Sequence, residues 1–267
     1  MLDFIAEHGT LLLAIYGVLQ VWMIAAWKQF VSAARLSVHE SARIEVGYSA
    51  YGPTVGLHGV LRTSNKNAFV ESVRLVVIKL RDFSQHEFEW EMFRASQIRS
   101  DGGYTEIPAG FLVRLDQPYR YNIVFSDKRT QEEVLPSLLK VTREWGSYTL
   151  SKQPDIYKLM GEQNLSYEVA TELLYTQEFI KTNGAWQQAW ELLTRRNYWE
   201  AGEYDLSVTV KAAPPTKTIS RQWRFTLDSN DADGFNLNAI VTLQQMCLGK
   251  GTYYFAYSDY DPTSVQS

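Results

Sequence analysis

Between Thr10 and Trp27 the chain reads TLLLAIYGVLQVWMIAAW, eighteen positions without a charged side chain. A helix over that run, at about 1.5 Å per residue, is roughly 27 Å long, close to the hydrocarbon thickness of a bilayer. Gln20 is its one strongly polar side chain between Leu11 and Trp27, so the run has no polar face to turn towards water. The spacing therefore predicts a transmembrane helix over 10–27, with Leu11, Leu12, Leu13 and Ile15 in the hydrocarbon and Trp22 and Trp27 towards an interface. A cleaved signal peptide fits less well. The leading MLDFIAEHG carries Asp3 and Glu7 and neither Lys nor Arg, and the run exceeds the usual apolar core of about 7 to 15 residues.

Lys28, Arg35 and Arg43 trail the run, and trailing cations are retained on the cytoplasmic side. The expected topology is a single pass through the inner membrane, with 1–9 outside, a stalk over 28–42 and the domain 43–267 in the cytoplasm. On a continuing helix those three cations share one face and could touch anionic headgroups, which makes the lipid bilayer an expected partner.

Beyond that segment the balance of charge is nearly even. Lys and Arg number 26 against 30 Asp and Glu, so 26 − 30 = −4, and there is no basic excess to neutralise a nucleic-acid backbone. One cysteine, Cys247, rules out an internal disulfide, a multi-cysteine zinc site and an iron–sulfur cluster. Stability has to come from packing, and eight Trp, 16 Tyr and 12 Phe supply the large side chains that suit a β-sheet core.

From Arg43 the hydrophobic period is two: Ile44, Val46 and Tyr48 alternate with Arg43, Glu45 and Gly47, the pattern of a half-buried strand. Further strands are expected at 57–63, 73–81, 87–92, 111–115 and 119–125. At Thr130-Gln-Glu-Glu133 a capping-box pattern switches the chain to helix over 131–145, with Gly146 as its stop. Helical patterns at 155–160, 167–181 and 185–196 follow. Alternation returns at Tyr204, Leu206, Val208 and Val210, then at Trp223, Phe225 and Leu227, and a last helix is expected over 236–248.

The stretch Ala201-Gly-Glu-Tyr-Asp-Leu-Ser-Val-Thr-Val resembles the closing strand of bacterial immunoglobulin-like domains, a resemblance of ten residues that implies fold alone. The expected architecture is mainly β: the membrane helix, then an antiparallel immunoglobulin-like β-sandwich of eight strands with a helical insertion at about 130–200.

Chemistry-bearing patterns are sparse. Glu87, Glu89 and Glu91 put three carboxylates on one strand face about 7 Å apart, and a solvated face opposite Phe88, Trp90 and Met92 accounts for them. Asp231, Asp233 and Gly234 imitate part of a calcium loop, yet Ile240 stands where the bidentate Glu belongs. Ser137-Leu-Leu-Lys140 has the Ser-x-x-Lys spacing of some acyl-transfer enzymes without their companion motifs. Gly249-Lys-Gly-Thr252 lacks the first glycine of a phosphate loop. His8, His39, His58 and His86 show no metal-ligand spacing, and Cys247 sits in an apolar context.

No enzyme signature, metal site or cofactor follows, and the chain is expected not to be an enzyme. Arg195, Arg196 and Trp199 have the composition of an interface centre. The expectation is a membrane-tethered interaction or sensing module of bacterial type, binding a protein partner at the membrane through those three residues. A small-molecule ligand sensor is the alternative, followed by a hydrolase using the Glu or Asp clusters.

Overall fold

A computed structural model describes residues 15–27, 34–50, 52–94, 105–106, 109–214, 216–259 and 261–262. Its strands are β1 (Arg35–Ser49), β2 (Gly52–Ser64), β3 (Ala68–Lys79), β4 (Gln85–Arg94), β5 (Thr105–Glu106), β6 (Phe111–Val113), β7 (Tyr119–Ser126), β8 (Gly202–Ala212), β9 (Ile219–Leu227), β10 (Phe255–Asp259) and β11 (Asp261–Pro262). The alternation in β8 does what its period requires: Tyr204, Leu206, Val208 and Val210 are buried, and the residues between them are partly exposed.

Strand pairing follows the order β10-β1-β2-β7-β4-β3-β8-β9-β11, antiparallel throughout. Two strands turn corners. In β4, residues Gln85 to Phe88 pair with β3, while Glu89 to Phe93 pair with β7 across a bulge between Trp90 and Met92. At the C-terminal end β10 pairs with β1, and β11 continues it onto β9. The Ser258 hydroxyl donates to Thr226 O across that seam (3.0 Å).

Counting β10 and β11 as one bent strand, the sheet is a nearly closed eight-stranded barrel. This corrects the expected immunoglobulin-like sandwich. A sandwich keeps two sheets with free edges, whereas here a bulged corner and a shared last strand join them, which shields backbone groups an open edge would leave unpaired. With its helices the fold is mixed α/β rather than mainly β.

The registers place every helical excursion at one end of the barrel. Tyr48 pairs with Pro53, Thr54 with Ser126, Ile78 with Gln85, Lys79 with Tyr204, Gly202 with Leu227 and Gly47 with Phe255. So the β1–β2 and β3–β4 turns, the exit from β7, the entry to β8 and the β9–β10 connection all lie together. With the helical segment 15–27 as α1, between β7 and β8 run α2 (Lys128–Ser151), α3 (Gln153–Gln163), α4 (Tyr167–Leu174), a π-helical turn (Tyr175–Phe179), α5 (Ile180–Thr182) and α6 (Gly184–Arg196). Between β9 and β10 runs α7 (Ser229–Leu248). Helices α2, α6 and α7 pack on one another, and α7 and α2 touch β1 and β2.

Several boundaries differ from the sequence expectation. Asp127, not Thr130, caps α2, its carboxylate accepting the Thr130 N–H. The helix also runs straight past Gly146, because Trp145 and Val141 are buried on its core face and packing outweighs the glycine penalty. The Asp-rich calcium-like stretch is the first turn of α7, where Asp228 and Asp231 form a capping box.

Residues 15–27 are helical and exposed on every side, Ile15, Trp22 and Trp27 included. This segment is about 20 Å long, and among the described residues no helix is long and apolar enough to cross a membrane. That overturns the transmembrane helix, the bilayer as partner, the single-pass inner-membrane placement and the membrane-tethered module built on them. Leu11, Leu12, Leu13 and Lys28 lie outside the described residues. The basic helical stripe also falls away, since Arg35 and Arg43 belong to β1, part of the sheet from residue 35 onward. Arg43 pairs with Asp259 (3.3 Å).

Candidate functional site

The polypeptide between α6 and β8 drives two aromatic side chains into the helical end of the barrel. Trp199 is 1% exposed. Its indole Nε1 donates to Gly47 O on β1 (2.8 Å), and its ring packs near Phe88, Tyr204, Phe225 and Phe235. It therefore ties β1, β4, β8, β9 and α7 together, and as a core residue it has no surface to offer a partner. That corrects its place in the expected interface. Arg195, at the end of α6, is exposed.

Beside Trp199, Tyr198 lies flat against His86 of β4, ring centroids 3.6 Å apart and planes 12° apart. His86 and Phe88 point to the same side of β4 by the two-residue period, and Phe88 is buried. Asp127 follows Ser126, the β7 partner of Glu89, which brings it to the same end. Its backbone N–H donates to Pro53 O (3.1 Å). Its carboxylate accepts the Thr130 N–H (3.1 Å) and the Thr130 hydroxyl (2.9 Å).

Arg196 ends α6, two residues before Tyr198. Its Nη2 reaches the Glu133 carboxylate of α2, and Tyr48, whose hydroxyl donates to Leu193 O (2.8 Å), lies within range of its charge. Flanking ion pairs are Lys79 with Glu200 (2.6 Å) and Lys128 with Glu89 (3.6 Å).

Two polar atoms here are buried and hydrogen-bonded to no protein group: the Tyr198 hydroxyl and the Arg196 Nε. Native interiors pair nearly all such atoms, with water where the protein offers no group, so these two donors have capacity for a partner outside the protein. Burial raises the Tyr198 phenol well above its ordinary value, with the negative charge of Asp127 next in effect. Burial lowers the His86 pKa, Asp127 and Asp82 opposing that shift. The imidazole is accordingly neutral at pH 7, one ring nitrogen a donor and the other an acceptor. The site presents a phenol, a neutral imidazole, the Asp127 carboxylate and, beyond Tyr48, the guanidinium of Arg196 paired with Glu133, at the end of the barrel that the helices cover.

The other sequence candidates do not converge on it. Glu89 faces Lys128, Glu91 accepts from the Ser126 hydroxyl (3.0 Å) and Glu87 is exposed. Asp231 accepts from the Tyr254 hydroxyl (2.7 Å). Cys247 lies by Tyr175 in the helical layer, where burial pushes its thiol to about 12. Among the described residues no three His, Cys, Asp or Glu side chains gather as a metal site would require.

The sequence names Arg196 as a protein-contact candidate, a role the structure leaves open, and does not bring His86, Asp127 and Tyr198 together. One local signal was present: an Asp-x-x-Thr cap immediately after a strand ends at Ser126. Nothing local marks His86 and Tyr198 as neighbours. No protein-family model, curated protein or solved structure matches the chain.

Proposed function

We propose that the domain is a non-catalytic binding module whose small-molecule seat is formed by His86, Asp127, Arg196 and Tyr198. The observation that carries this reading is the pair of buried, unpaired donors, the Tyr198 hydroxyl and the Arg196 Nε. Leaving each of them unpaired costs about 1–3 kcal/mol, a cost that an occupant with acceptor atoms removes.

The groups around the seat support binding rather than turnover. The hydroxyls of Ser126 and Thr130 are both spent on carboxylates, and the Tyr48 hydroxyl is spent on Leu193 O. The His86 ring uses one face on Tyr198, and the nucleophilic atom it would need to activate is not among these neighbours.

The test is a melting-temperature screen of the full chain against small polar compounds, repeated on Tyr198→Phe and Arg196→Gln. A compound that raises the midpoint of the wild type and not of either variant supports the reading. Equal shifts in all three proteins would place the ligand elsewhere and sink it.

A further inference from the structure

We propose that the outer face of β1, β2 and β7, at the end of the barrel away from the helices, is a docking surface for an extended acidic peptide segment of a partner protein, gripped by Arg35, Arg62 and Arg120. This surface is separate from the seat above and does not rest on it.

The strand registers set the three arginines in a row. Leu36, Leu61, Thr63, Tyr121 and Ile123 are buried in the barrel, so by the two-residue period Arg35, Arg62 and Arg120 point outward, and all three are exposed. Arg35 pairs with Ser64 and Ser37 with Arg62 across β1 and β2, and Val60 pairs with Arg120 across β2 and β7. From Arg35 to Arg62, and again from Arg62 to Arg120, is therefore one strand across and two residues along, a diagonal of about 7–8 Å. Both steps run towards the helical end, so the three positions follow one line.

The other outward positions over 35–39, 58–64 and 119–122 are Ser37, His39, His58, Val60, Ser64 and Asn122, and none is a carboxylate. Among the described residues Arg35, Arg62 and Arg120 make no ion pair. Three other cations of the sheet are matched: Arg43 by Asp259 at 3.3 Å, Lys211 by Glu71 at 2.8 Å and Arg224 by Asp205 at 2.8 Å. The row is thus a line of unmatched positive charge, and an anionic partner replaces its mutual repulsion with attraction.

Spacing names the partner. In an extended chain alternate side chains on one side are about 7 Å apart, so carboxylates at every second position meet the three guanidiniums in register, each accepting a forked pair of N–H donors. Single-stranded nucleic acid also brings a line of charges, but it is held by bases stacked on aromatic rings. No Phe, Tyr or Trp occupies these outward positions: Tyr119 stacks on Phe111, and Tyr121 is buried.

The full chain, labelled with 15N, is titrated with a peptide of alternating glutamate and serine, with a peptide of the same composition whose glutamates are contiguous, and with an oligothymidylate. The readout is the Nε–H resonance of each arginine, assigned by its loss in Arg35→Gln, Arg62→Gln and Arg120→Gln.

The expected result is a saturable shift at all three resonances, with the alternating peptide bound more tightly than the contiguous one and both weakened by added salt. Arg62→Gln, at the middle of the row, should weaken binding about two- to fivefold and the triple variant at least about tenfold, while Arg74→Gln, exposed on β3, leaves it unchanged. Equal affinity for the two peptides, or for wild type and triple variant, would overturn the proposal. Tighter binding of the oligothymidylate would make the row a nucleic-acid surface and overturn the peptide assignment, and no shift at the three arginines would remove the surface altogether. Each of these results leaves the seat at Tyr198 untouched.

Discussion

The His86 imidazole and the Tyr198 phenol are stacked at 3.6 Å between centroids, a strand side chain laid against the linker that leads from α6 into β8. That stack, with Trp199 bonded to Gly47 O, fastens the helical layer to the barrel. Both residues of the linker therefore serve packing, while the Tyr198 hydroxyl beyond the stack stays unspent.

Two tyrosines near this end should respond oppositely to loss of their hydroxyls. Tyr48→Phe removes a buried bond to Leu193 O and should cost about 1–2 kcal/mol in urea unfolding. Tyr198→Phe deletes a hydroxyl without a protein partner, so in ligand-free protein it should be neutral or stabilising by up to about 1 kcal/mol. A loss at Tyr198 as large as that at Tyr48 would contradict the unpaired state.

Stability should fall as pH drops below about 6.5. Burial lowers the His86 pKa in the folded protein below its ordinary 6.5, so under that pH the unfolded chain binds the proton first. Since stability rises with pH wherever the unfolded state holds more protons, the His86 contribution is full above 6.5, declines below it and levels off once the folded ring also protonates. Unfolding free energies between pH 5 and 7.5 should show this slope, and His86→Phe, which keeps an aromatic ring for the stack, should flatten it.

Gly47 sits at the seam where the barrel closes. A Cβ there would lie inside the contact distance of the Phe255 ring and 3.0 Å from Thr54 Oγ1. Gly47→Ala should push β10 from β1, destabilise the protein by about 1–3 kcal/mol and speed hydrogen exchange in β10 more than in β3 or β8.

Cys247 should be inert in the folded protein. Burial lifts its thiol from 9.0 to about 12, which cuts the thiolate fraction at pH 8 by about a thousandfold. Labelling by a disulfide reagent should be slower than in urea by a comparable factor, and fast labelling of native protein would show that the helical layer opens around α7.

Strands with one buried face were readable because side-chain alternation is local. Tyr204, Leu206, Val208 and Val210 record it directly; the half-buried strand expected at Ile44, Val46 and Tyr48 is instead buried on both faces, Glu45 and Ser49 included. Helix ends were less readable. The box at Thr130 was mistaken for the cap because the competing carboxylate of Asp127 is distinguished only by where β7 ends. Arg196 was readable as a cation beside aromatics, not as a neighbour of His86 or Asp127. Its separation from Trp199, which proved to be core, depends on which way the α6–β8 linker enters the barrel.

What the sequence by itself determined was the alternation of strand and helix along the chain and the lack of a basic surplus, properties of neighbouring residues and of simple counts. Tertiary structure decided whether the strands form a sandwich or a barrel. That depends on backbone hydrogen bonds at β4 and at the β10–β11 seam, and backbone groups are the same in every non-proline residue, so the composition of a strand does not name its partner. It also decided the meeting of His86 with Tyr198. That meeting follows from how distant segments settle against one another, a balance of burial and chain entropy that no local pattern contains.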